Sequence, residues 1–362
     1  MNSRQRIEAA FAHREPDRTP ILEYVLFSPV AEAVLGRPYV DYNGGPGNWK
    51  EYAREVGFDK AVRQYARDRA ELAQRLGHDM IYICPNPAFP KDKPAAPRQL
   101  PPPPQEDDPS ERVAWRNECR ELELAEPEDE SQYLVFEYLK QELAARDLDI
   151  PLWLPAYAHG IWTDVDLMET IIMEPDVAHK HFELASRWCM ATVEKLAQAG
   201  ADFIGVGGDF AGNRPLISPQ AYRDFIMPEM KRCTDLVHKL GLKAINASDG
   251  DLWSVIEEYL IGTGVDAYAE IDYSVGMDLK KLKELYGDRI TLIGNLDCGN
   301  VLSFASPEEI RRISIECIEA GLGNGGHIFT ASNAISESVP VENYLAMVNA
   351  YRDYWNLPKL VL

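Results

Sequence analysis

The sequence predicts a single (β/α)8 barrel, a TIM barrel of the α/β class, with an N-terminal helical extension and a proline-rich insertion after strand two. The 362 residues suit one barrel with additions. Short apolar runs alternate with helical periods along most of the chain, as parallel strands with crossover helices require. No dinucleotide-binding or Walker glycine loop follows a predicted strand, which disfavours the alternative, an open doubly wound sheet.

The strands are predicted from short apolar runs that end in glycine or polar residues. In chain order they are Thr19–Tyr24, His78–Cys84, Ile150–Tyr157, Asp202–Gly207, Lys243–Ala247, Val265–Ile271, Ile290–Leu296 and His327–Ala331. A short helix precedes the first strand and ends before Pro16, because the residue before a proline avoids helical angles. Eight strands in one repeating pattern favour a closed barrel.

The crossover helices are predicted from apolar residues at helical spacing and from their start signals. Pro175 and Pro219 stand at first helical positions, where a proline costs no hydrogen bond. The predicted helices are Asp59–Leu76, Asp164–Met173, Pro175–Gln198, Ser218–Leu240, Leu252–Ile261, Leu279–Tyr286, Pro307–Ala320 and Val341–Trp355.

Residues 85–130 interrupt this rhythm and form an irregular insertion in a domain that otherwise covers residues 1–362. The Pro101–Pro104 run and an acidic stretch beyond it cannot form barrel wall. We expect an excursion on the rim that carries the strand ends, with a hairpin over Val113–Leu124.

Composition limits the partners of this chain. Lys and Arg total 37 against 58 Asp and Glu, a net charge of −21, which disfavours nucleic acid and anionic membranes. No apolar run is long enough to cross a bilayer, and the N-terminus lacks a secretory signal pattern, so we expect a cytoplasmic protein. Its six scattered cysteines are expected to be reduced thiols. A homodimer is compatible with the sequence but is not predicted by it.

Barrel enzymes place their active sites at the carboxyl ends of the strands, so the residues found there are candidates for a site. Asp209, Asp249 and Glu270 are acidic candidates, and burial near one another would raise their pKa values and leave a general acid near neutral pH. His159 is a fourth catalytic candidate. Expected substrate-binding residues at other strand ends are Glu23, Tyr24, Asn246, Asn295 and Asn333.

Each of these candidates also has a structural interpretation. Asp249 precedes a predicted helix and is suited to capping it, and a single histidine is commonly a hydrogen-bonded structural residue. Cys84 and Cys298 could ligate a metal together with His159, but the three residues lie on separate strands and their spacing does not establish a zinc site.

Several motifs resemble the uroporphyrinogen decarboxylase superfamily. They follow the family's order along nearly the whole chain outside residues 85–130. They are Arg4-x-Arg6-Ile7, Glu15-Pro16-Asp17-Arg18-Thr19-Pro20, Gly207-Gly208-Asp209, Ser218-Pro219-x-x-Tyr222, Ser248-Asp249-Gly250-Asp251, Gly287-Asp288-x-Ile290-x-Leu292-Ile293-Gly294-Asn295-Leu296-Asp297 and Pro340-Val341-Glu342-Asn343.

The resemblance implies either decarboxylation of uroporphyrinogen or methyl transfer with a corrinoid protein. Family decarboxylases carry an arginine-rich segment after strand one that binds substrate carboxylates, whereas Leu22–Phe27 here contains no arginine. A tetrapyrrole with eight carboxylates would be repelled by the acidic strand ends, with Arg214 as the nearby cation. The sequence is therefore nearer to the methyltransferase relatives.

Relatives that methylate a thiol are similar to zinc enzymes with a His-x-Cys pair after strand five and another cysteine after strand eight. Those places fall on Ala247, Asp249 and Asn333, which cannot form the thiolate site. The resemblance leaves a zinc ion open, because His159, Cys298 and Glu270 offer other ligands. The expected cofactor is a corrinoid (cobalamin) supplied by a partner protein.

The expected reaction moves a methyl group from a small donor to the corrinoid protein, an O-demethylase reaction when the donor is a methoxyarene. A departing phenolate needs a proton or a metal, a role for Asp249, Glu270 or His159. A methylamine-type donor needs no acid and would suit an acidic rim with aromatic side chains, for which the candidates are Tyr24, Trp162, Phe210 and Tyr268. Decarboxylation of a smaller acid and a binding protein without catalysis are the alternatives.

Overall fold

The computed structural model describes residues 1–27, 29–43, 49–89, 100–105, 108–126 and 129–362. Its centre is a parallel sheet of seven strands whose spatial order follows the chain. Each pair of neighbours is joined by a crossover, which is the topology that alternating strand and helix patterns predict. The strands are β1 Ile81–Tyr82, β2 Leu152–Pro155, β3 Phe203–Gly207, β4 Lys243–Ala247, β5 Ala267–Ala269, β6 Thr291–Ile293 and β7 His327–Ile328.

Helices surround this sheet and supply the crossovers. The long α8 begins at Pro175 and ends before Gly200, whose φ of 92° is a left-handed cap. The helices are α1 Ser3–Phe11, α2 Val30–Leu35, α3 Trp49–Val56, α4 Phe58–Leu76, α5 Pro109–Leu124, α6 Leu134–Ala145, α7 Val165–Met173, α8 Pro175–Ala199, α9 Pro219–Ala221, α10 Met227–Lys239, α11 Leu279–Tyr286, α12 Val301–Phe304, α13 Pro307–Gly321 and α14 Val341–Tyr354.

The prediction of a first strand over Thr19–Tyr24 is wrong, because this segment forms an isolated bridge and not a strand of that length. Ile21 forms an isolated parallel bridge with Phe329 after β7, and on its other side the Ile21 carbonyl accepts the Asp79 N–H at 2.7 Å. The Ile21 N–H goes to the Asp79 carboxylate instead of to a neighbouring strand, and Pro20 has no N–H to donate. The segment nevertheless connects the two edges of the sheet, which is consistent with a (β/α)8 barrel.

Asp79 holds this junction together. Its carboxylate is completely buried and forms ion pairs with Arg6 at 3.0 Å and Arg18 at 2.8 Å. Arg6 comes from α1 and Arg18 from the segment that leads to Ile21, so one carboxylate ties the N-terminal extension to the sheet. A buried carboxylate with two cationic partners avoids most of the cost of an unpaired charge.

The hairpin predicted over Val113–Leu124 is also wrong, because these residues belong to the helix α5. Asp108 caps this helix by accepting the N–H groups of Ser110 and Glu111, and Pro109 occupies its first turn. An N-cap aspartate followed by proline is a strong helix start. The insertion at 85–130 therefore contains a regular helix that packs on α7 and α8; residues 90–99, 106–107 and 127–128 lie outside the described residues.

Two further helices differ from their predicted form. The helix predicted over Leu252–Ile261 consists of a 3-10 turn, Trp253–Val255, and a π-helical turn, Glu258–Gly262. The helix predicted from Ser218 to Leu240 contains a π-helical turn over Tyr222–Ile226 between α9 and α10. Insertions of this kind are frequent at functional sites.

The apolar core has two parts. One cluster lies inside the curved sheet and includes Tyr82, Trp153, Phe203 and Ile245, while the larger cluster lies between the strands and the helices. Within the described residues, the helices are all too short or too polar to pass through a bilayer.

Candidate active site

Three carboxyl groups converge at the carboxyl ends of neighbouring strands. Asp209 follows β3, Asp249 follows β4 and Glu270 directly follows β5. One carboxylate oxygen from each lies within 4.8 Å of the others. We call these three residues the acid cluster. Its position is the one that barrel topology gives to catalytic groups.

Unusual backbone conformations place these carboxyl groups. Glu270 and Ile271 have φ values of 81° and 54°, a region that costs residues other than glycine on the order of 1–3 kcal/mol each. Gly208 before Asp209 has no room for a side chain, because a Cβ would lie 2.6 Å from the Gly160 nitrogen. The strand ends are thus bent to bring the acids together.

The acids are also linked by direct hydrogen bonds. The Asp249 N–H donates to the Asp209 carboxylate at 3.0 Å, and the Asn333 side-chain amide donates to the Asp249 carboxylate at 2.7 Å. Asp272 lies beside the cluster and accepts the N–H of Gly250 at 3.2 Å. Asn333, predicted at a strand end after β7, therefore meets Asp249 from the other side of the site.

Burial and mutual repulsion favour the protonated forms of these groups. Burial, followed by the charges of Asp209 and Asp272, raises the pKa of Asp249 to about 7. The pKa of Glu270 is raised well above its usual range, first by burial and then by the charge of Asp249. Burial raises the pKa of Asp209 as well. At neutral pH the cluster therefore holds protons that it can donate.

Within the described parts of the chain, the acid cluster has no cationic partner. Among the described residues no lysine or arginine forms an ion pair with Asp209, Asp249 or Glu270, and Arg214 is exposed. The hydroxyl of Tyr268 is fully buried without a hydrogen-bond partner, and burial, then the charge of Glu270, raises its pKa well above the usual range. One oxygen of Glu270 also has no partner.

An aromatic wall faces the cluster from the first part of the sheet. The ring of Tyr24 lies 4.2 Å from that of Tyr82 and 5.1 Å from that of Trp153, measured between centroids. Tyr157 contacts the same wall, and the pKa values of Tyr24 and Tyr157 are raised by burial and in part by the charge of Glu270. Gly205 leaves room for Tyr157, since a Cβ there would lie 2.7 Å from its hydroxyl.

The predicted catalytic residue His159 is not part of the acid cluster. It is completely buried, and its Nε2 atom lies 2.9 Å from the hydroxyl of Ser186 on α8. Ser186 in turn donates to the Glu229 carbonyl, so the histidine ties the end of β2 to the helix layer.

Several predicted substrate-binding residues occupy core positions. Phe210 is 1% exposed and packs against the ring of Tyr222 in a tilted arrangement, and Asn295 donates to the Ile271 carbonyl at 3.1 Å. Asn246 is buried beside Tyr268 in register, with neither amide atom paired.

Glu23 and Trp162 occupy opposite environments. Glu23 is 2% exposed, accepts the Thr330 hydroxyl at 3.4 Å and has a pKa raised by burial to about 8. Trp162 is 54% exposed in the loop after β2. Neither residue belongs to the acid cluster.

The possible metal ligands of the acid cluster are carboxylate oxygens. Hard cations such as Mg²⁺ and Ca²⁺ prefer oxygen ligands, whereas zinc is commonly bound by sulfur and imidazole. The alternative set of His159, Cys84 and Cys298 does not converge: within the described chain, the candidate metal-binding group is the acid cluster alone. The Cys84 thiol lies beside the Tyr82 hydroxyl and the Cys298 thiol beside the Ser332 hydroxyl.

Sequence reasoning named Tyr24 of the aromatic wall, but it assigned no site role to Tyr82, Trp153 or Asp272. Tyr82, Trp153 and Tyr157 could have been found from the two-residue period of strands, since Trp153 and Tyr157 share the inward face. Asp272 lies two residues after Glu270, directly after the two residues whose backbone is left-handed, Glu270 and Ile271.

Comparisons with known proteins show which family and which fold this chain is similar to. Residues 151–354, more than half of the chain, match the family model "Uroporphyrinogen decarboxylase (URO-D)". Uroporphyrinogen decarboxylases from Coxiella burnetii (strain Dugway 5J108-111) and Azoarcus sp. (strain BH72) are 24% and 25% identical, each over 67% of this chain and 68% of the relative. A solved methyltransferase from Methanosarcina mazei superposes with a TM-score of 0.66 at 16% identity, covering 98% of this chain and 99% of that one. The chain therefore belongs to the uroporphyrinogen decarboxylase family, and it shares its fold with a methyltransferase.

Proposed function

We propose that this protein is a methyltransferase that moves a methyl group from a small methylated donor to the corrinoid of a partner protein. The observation that carries the proposal is the convergence of Asp209, Asp249 and Glu270 within 4.8 Å without a neighbouring cation among the described residues. Such a site can neutralise a leaving group or bind a cation. It is poorly suited to a polyanionic tetrapyrrole.

The argument against uroporphyrinogen rests on charge. The octacarboxylate would need several cations near the strand ends, and the site presents carboxylates whose pKa values are already raised by crowding. Adding further negative charge to a buried acidic site costs several kcal/mol per unpaired charge. A small neutral or cationic donor avoids that cost.

The residues of the site would orient the donor and protonate its leaving group. A reduced corrinoid on the partner supplies the nucleophile for the methyl group. The aromatic wall of Tyr24, Tyr82 and Trp153 holds the apolar part of the donor. For a methoxyarene the methyl C–O bond breaks, and the proton of Asp249 passes to the departing phenolate oxygen.

The rim of the sheet supports docking of a second protein. Four large apolar side chains are exposed in the segments that follow β2, β3, β5 and β6, one of them at the end of α12. They are Trp162 at 54%, Leu216 at 37%, Tyr273 at 54% and Phe304 at 81% exposure. Exposed apolar groups on the face that carries the site are typical of a protein interface.

The test mixes the purified protein with a reduced corrinoid protein and a panel of methoxyarenes and methylamines, and follows the cob(I)alamin absorbance. We expect loss of that absorbance with at least one donor. With a methoxyarene donor, Asp249→Asn should lower the rate by about 100-fold or more, because an amide cannot deliver the proton. The matched control is Asp251→Asn, whose carboxylate accepts the Trp253 N–H and should leave the rate nearly unchanged.

The pH profile separates the donor classes. Asp249 is protonated below its pKa of about 7, so transfer from a methoxyarene should fall as pH rises through that value. Transfer from a quaternary ammonium donor needs no proton and should keep its rate. A methoxyarene rate that increases from pH 6 to pH 8 would contradict the assigned role of Asp249.

Decarboxylation of a small acid is the second candidate function. It is favoured by the family match and by the names of the curated relatives. A protonated carboxyl at Asp249 or Glu270 could quench the carbanion that loss of carbon dioxide creates. Release of carbon dioxide from small carboxylic acids, without any change in corrinoid absorbance, would favour this function over methyl transfer.

A further inference from the structure

A cavity of about 530 Å³ lies outside the acid cluster, between the insertion helix α5, α8 and the end of β2. This volume is in the range of small-molecule pockets. Its apolar lining includes Leu124 of α5, Trp188 and Ala185 of α8, and Ala158 after β2. Trp188 is 39% exposed, so a large aromatic surface is available to a ligand.

Three arginines share one face of α5, and the last of them, Arg120, lines this cavity. Arg112 pairs with Asp166 through two hydrogen bonds of 2.9 and 2.6 Å, and Arg116 pairs with Asp164 through two of 3.0 Å. Arg120 is one turn further along the same face.

Within the described residues, Arg120 has no carboxylate as an ion-pair partner of the kind that Arg112 and Arg116 have. It lines the cavity and is half-buried, but it forms no ion pair with any residue that the structure describes. Burial lowers its pKa, and its charge helps to lower the pKa of buried His181 to about 4, after the larger effect of burial. An arginine that loses solvent without gaining a carboxylate is suited to an external anion.

A second polar group in the cavity is also unsatisfied. Thr192 is 4% exposed, lines the cavity and has no hydrogen-bond partner for its hydroxyl. A buried hydroxyl without a partner costs on the order of 1–3 kcal/mol, a cost that a ligand oxygen would remove. Lys195 adds a second cation on the same helix face.

The acidic residues of the cavity lie at its exposed edge. Glu123, Glu126 and Glu130 are all exposed, and Glu130 reaches Lys195 at 3.6 Å. Their charges are screened by solvent more effectively than the charge of half-buried Arg120.

We propose that this cavity binds a small organic anion, with its carboxylate on Arg120 and Thr192 and its apolar body against Trp188 and Leu124. The acid cluster is a separate site, and the proposal does not depend on methyl transfer. Tyr157 lines the cavity and also contacts the aromatic wall, so a ligand here contacts a residue next to the candidate active site.

The test titrates the full-length protein with benzoate and with benzyl alcohol, its neutral analogue, by calorimetry and by tryptophan fluorescence. We expect benzoate to bind at least about tenfold more tightly, since a charge-assisted hydrogen bond contributes about 1.5–3 kcal/mol. Equal affinity for the two probes, or no binding of benzoate, would overturn the proposal without any variant. Trp188→Phe should remove most of the fluorescence response.

Two substitutions sharpen the result. Arg120→Gln should weaken benzoate binding about tenfold or more and leave benzyl alcohol unchanged. The matched control is Arg187→Gln, which removes a cation that pairs with Glu121 near the same helices and is not part of the cavity lining. Equal benzoate affinity in the two variants would overturn the assignment to Arg120, as would loss of benzoate binding in Asp249→Asn.

Discussion

Glu23 shows how one buried carboxyl can link the stability of the molecule to pH. Its side chain is inaccessible to solvent, with one oxygen unpaired and a pKa raised to about 8. In the unfolded chain it would ionise in the ordinary carboxyl range. At a pH between the ordinary carboxyl pKa and about 8, Glu23 keeps its proton in the folded protein and loses it in the unfolded chain.

The free energy of unfolding should therefore fall as pH rises through this interval. The folded state binds more protons than the unfolded state, so the slope with pH is negative, at most about 1.4 kcal/mol per pH unit from this group. Glu23→Gln should reduce the slope, measured by urea unfolding between pH 5 and pH 8. Exposed Glu337→Gln is the control; identical slopes in both variants would contradict the role of Glu23.

At the scale of elements, the turn after β4 positions Asp249 through Gly250. This glycine has a φ of 93°, and a Cβ on it would lie 2.6 Å from the backbone carbon of Ala211. Gly276 has a similar φ of 87° but open space around it. Substitutions at these two glycines can therefore distinguish the cost of backbone strain from the cost of steric contact.

Gly276→Ala should cost about 1–2 kcal/mol of unfolding free energy, the price of a left-handed conformation. Gly250→Ala should cost more and should also displace Asp249 from Asp209. Chemical denaturation measures the first effect, and the pH dependence of the proposed methyl transfer measures the second. Equal destabilisation by the two substitutions would show that the turn tolerates a side chain.

Helix α5 depends on its cap, Asp108, which accepts two backbone N–H groups. Asp108→Ala should lower the unfolding free energy by about 0.5–2 kcal/mol, while Asp108→Asn should retain most of it. Hydrogen exchange should show faster opening over Pro109–Leu124 in the alanine variant. Unchanged exchange there would mean that packing on α7 and α8, not the cap, maintains this helix.

These elements also show what the sequence can predict. Hydrophobic periodicity places β3 and β4 and the long helices, because each has a continuous apolar face. Periodicity fails at Thr19–Tyr24, because the Ile21 N–H bonds to the Asp79 carboxylate and not to a neighbouring strand. It also fails at α5, where the N-cap Asp108 starts a helix although the surrounding sequence is rich in proline. Strand-end positions bring Asp209, Asp249 and Glu270 together, but the cavity at Arg120 depends on the packing of α5 on α8, which spacing along the chain does not give.

At the scale of the molecule, the net charge of −21 opposes compaction. Like charges repel over about 10 Å at moderate ionic strength and over longer distances in dilute buffer. We expect the unfolding midpoint to rise when NaCl is added to a low-salt solution at neutral pH, measured by thermal unfolding. A midpoint that falls would show that surface ion pairs outweigh the general repulsion.

The ion pairs of Asp79 connect the N-terminal extension to the sheet, so their loss should lower the free energy of unfolding of the whole molecule. Asp79→Asn would leave Arg6 and Arg18 near a neutral group in a buried position and should cost about 3–5 kcal/mol of unfolding free energy. Exposed Asp288→Asn provides the comparison for loss of a surface carboxylate. Similar stability of the two variants would mean that the junction holds without its ion pairs.

The bridge between Ile21 and Phe329 joins residues that are far apart in the sequence. During synthesis Ile21 leaves the ribosome long before Phe329 does. The contact between these two segments can therefore form only after Phe329 has emerged. Contacts this distant in sequence are slow to form, so the nascent protein passes through a period in which both edges of its sheet are accessible to chaperones.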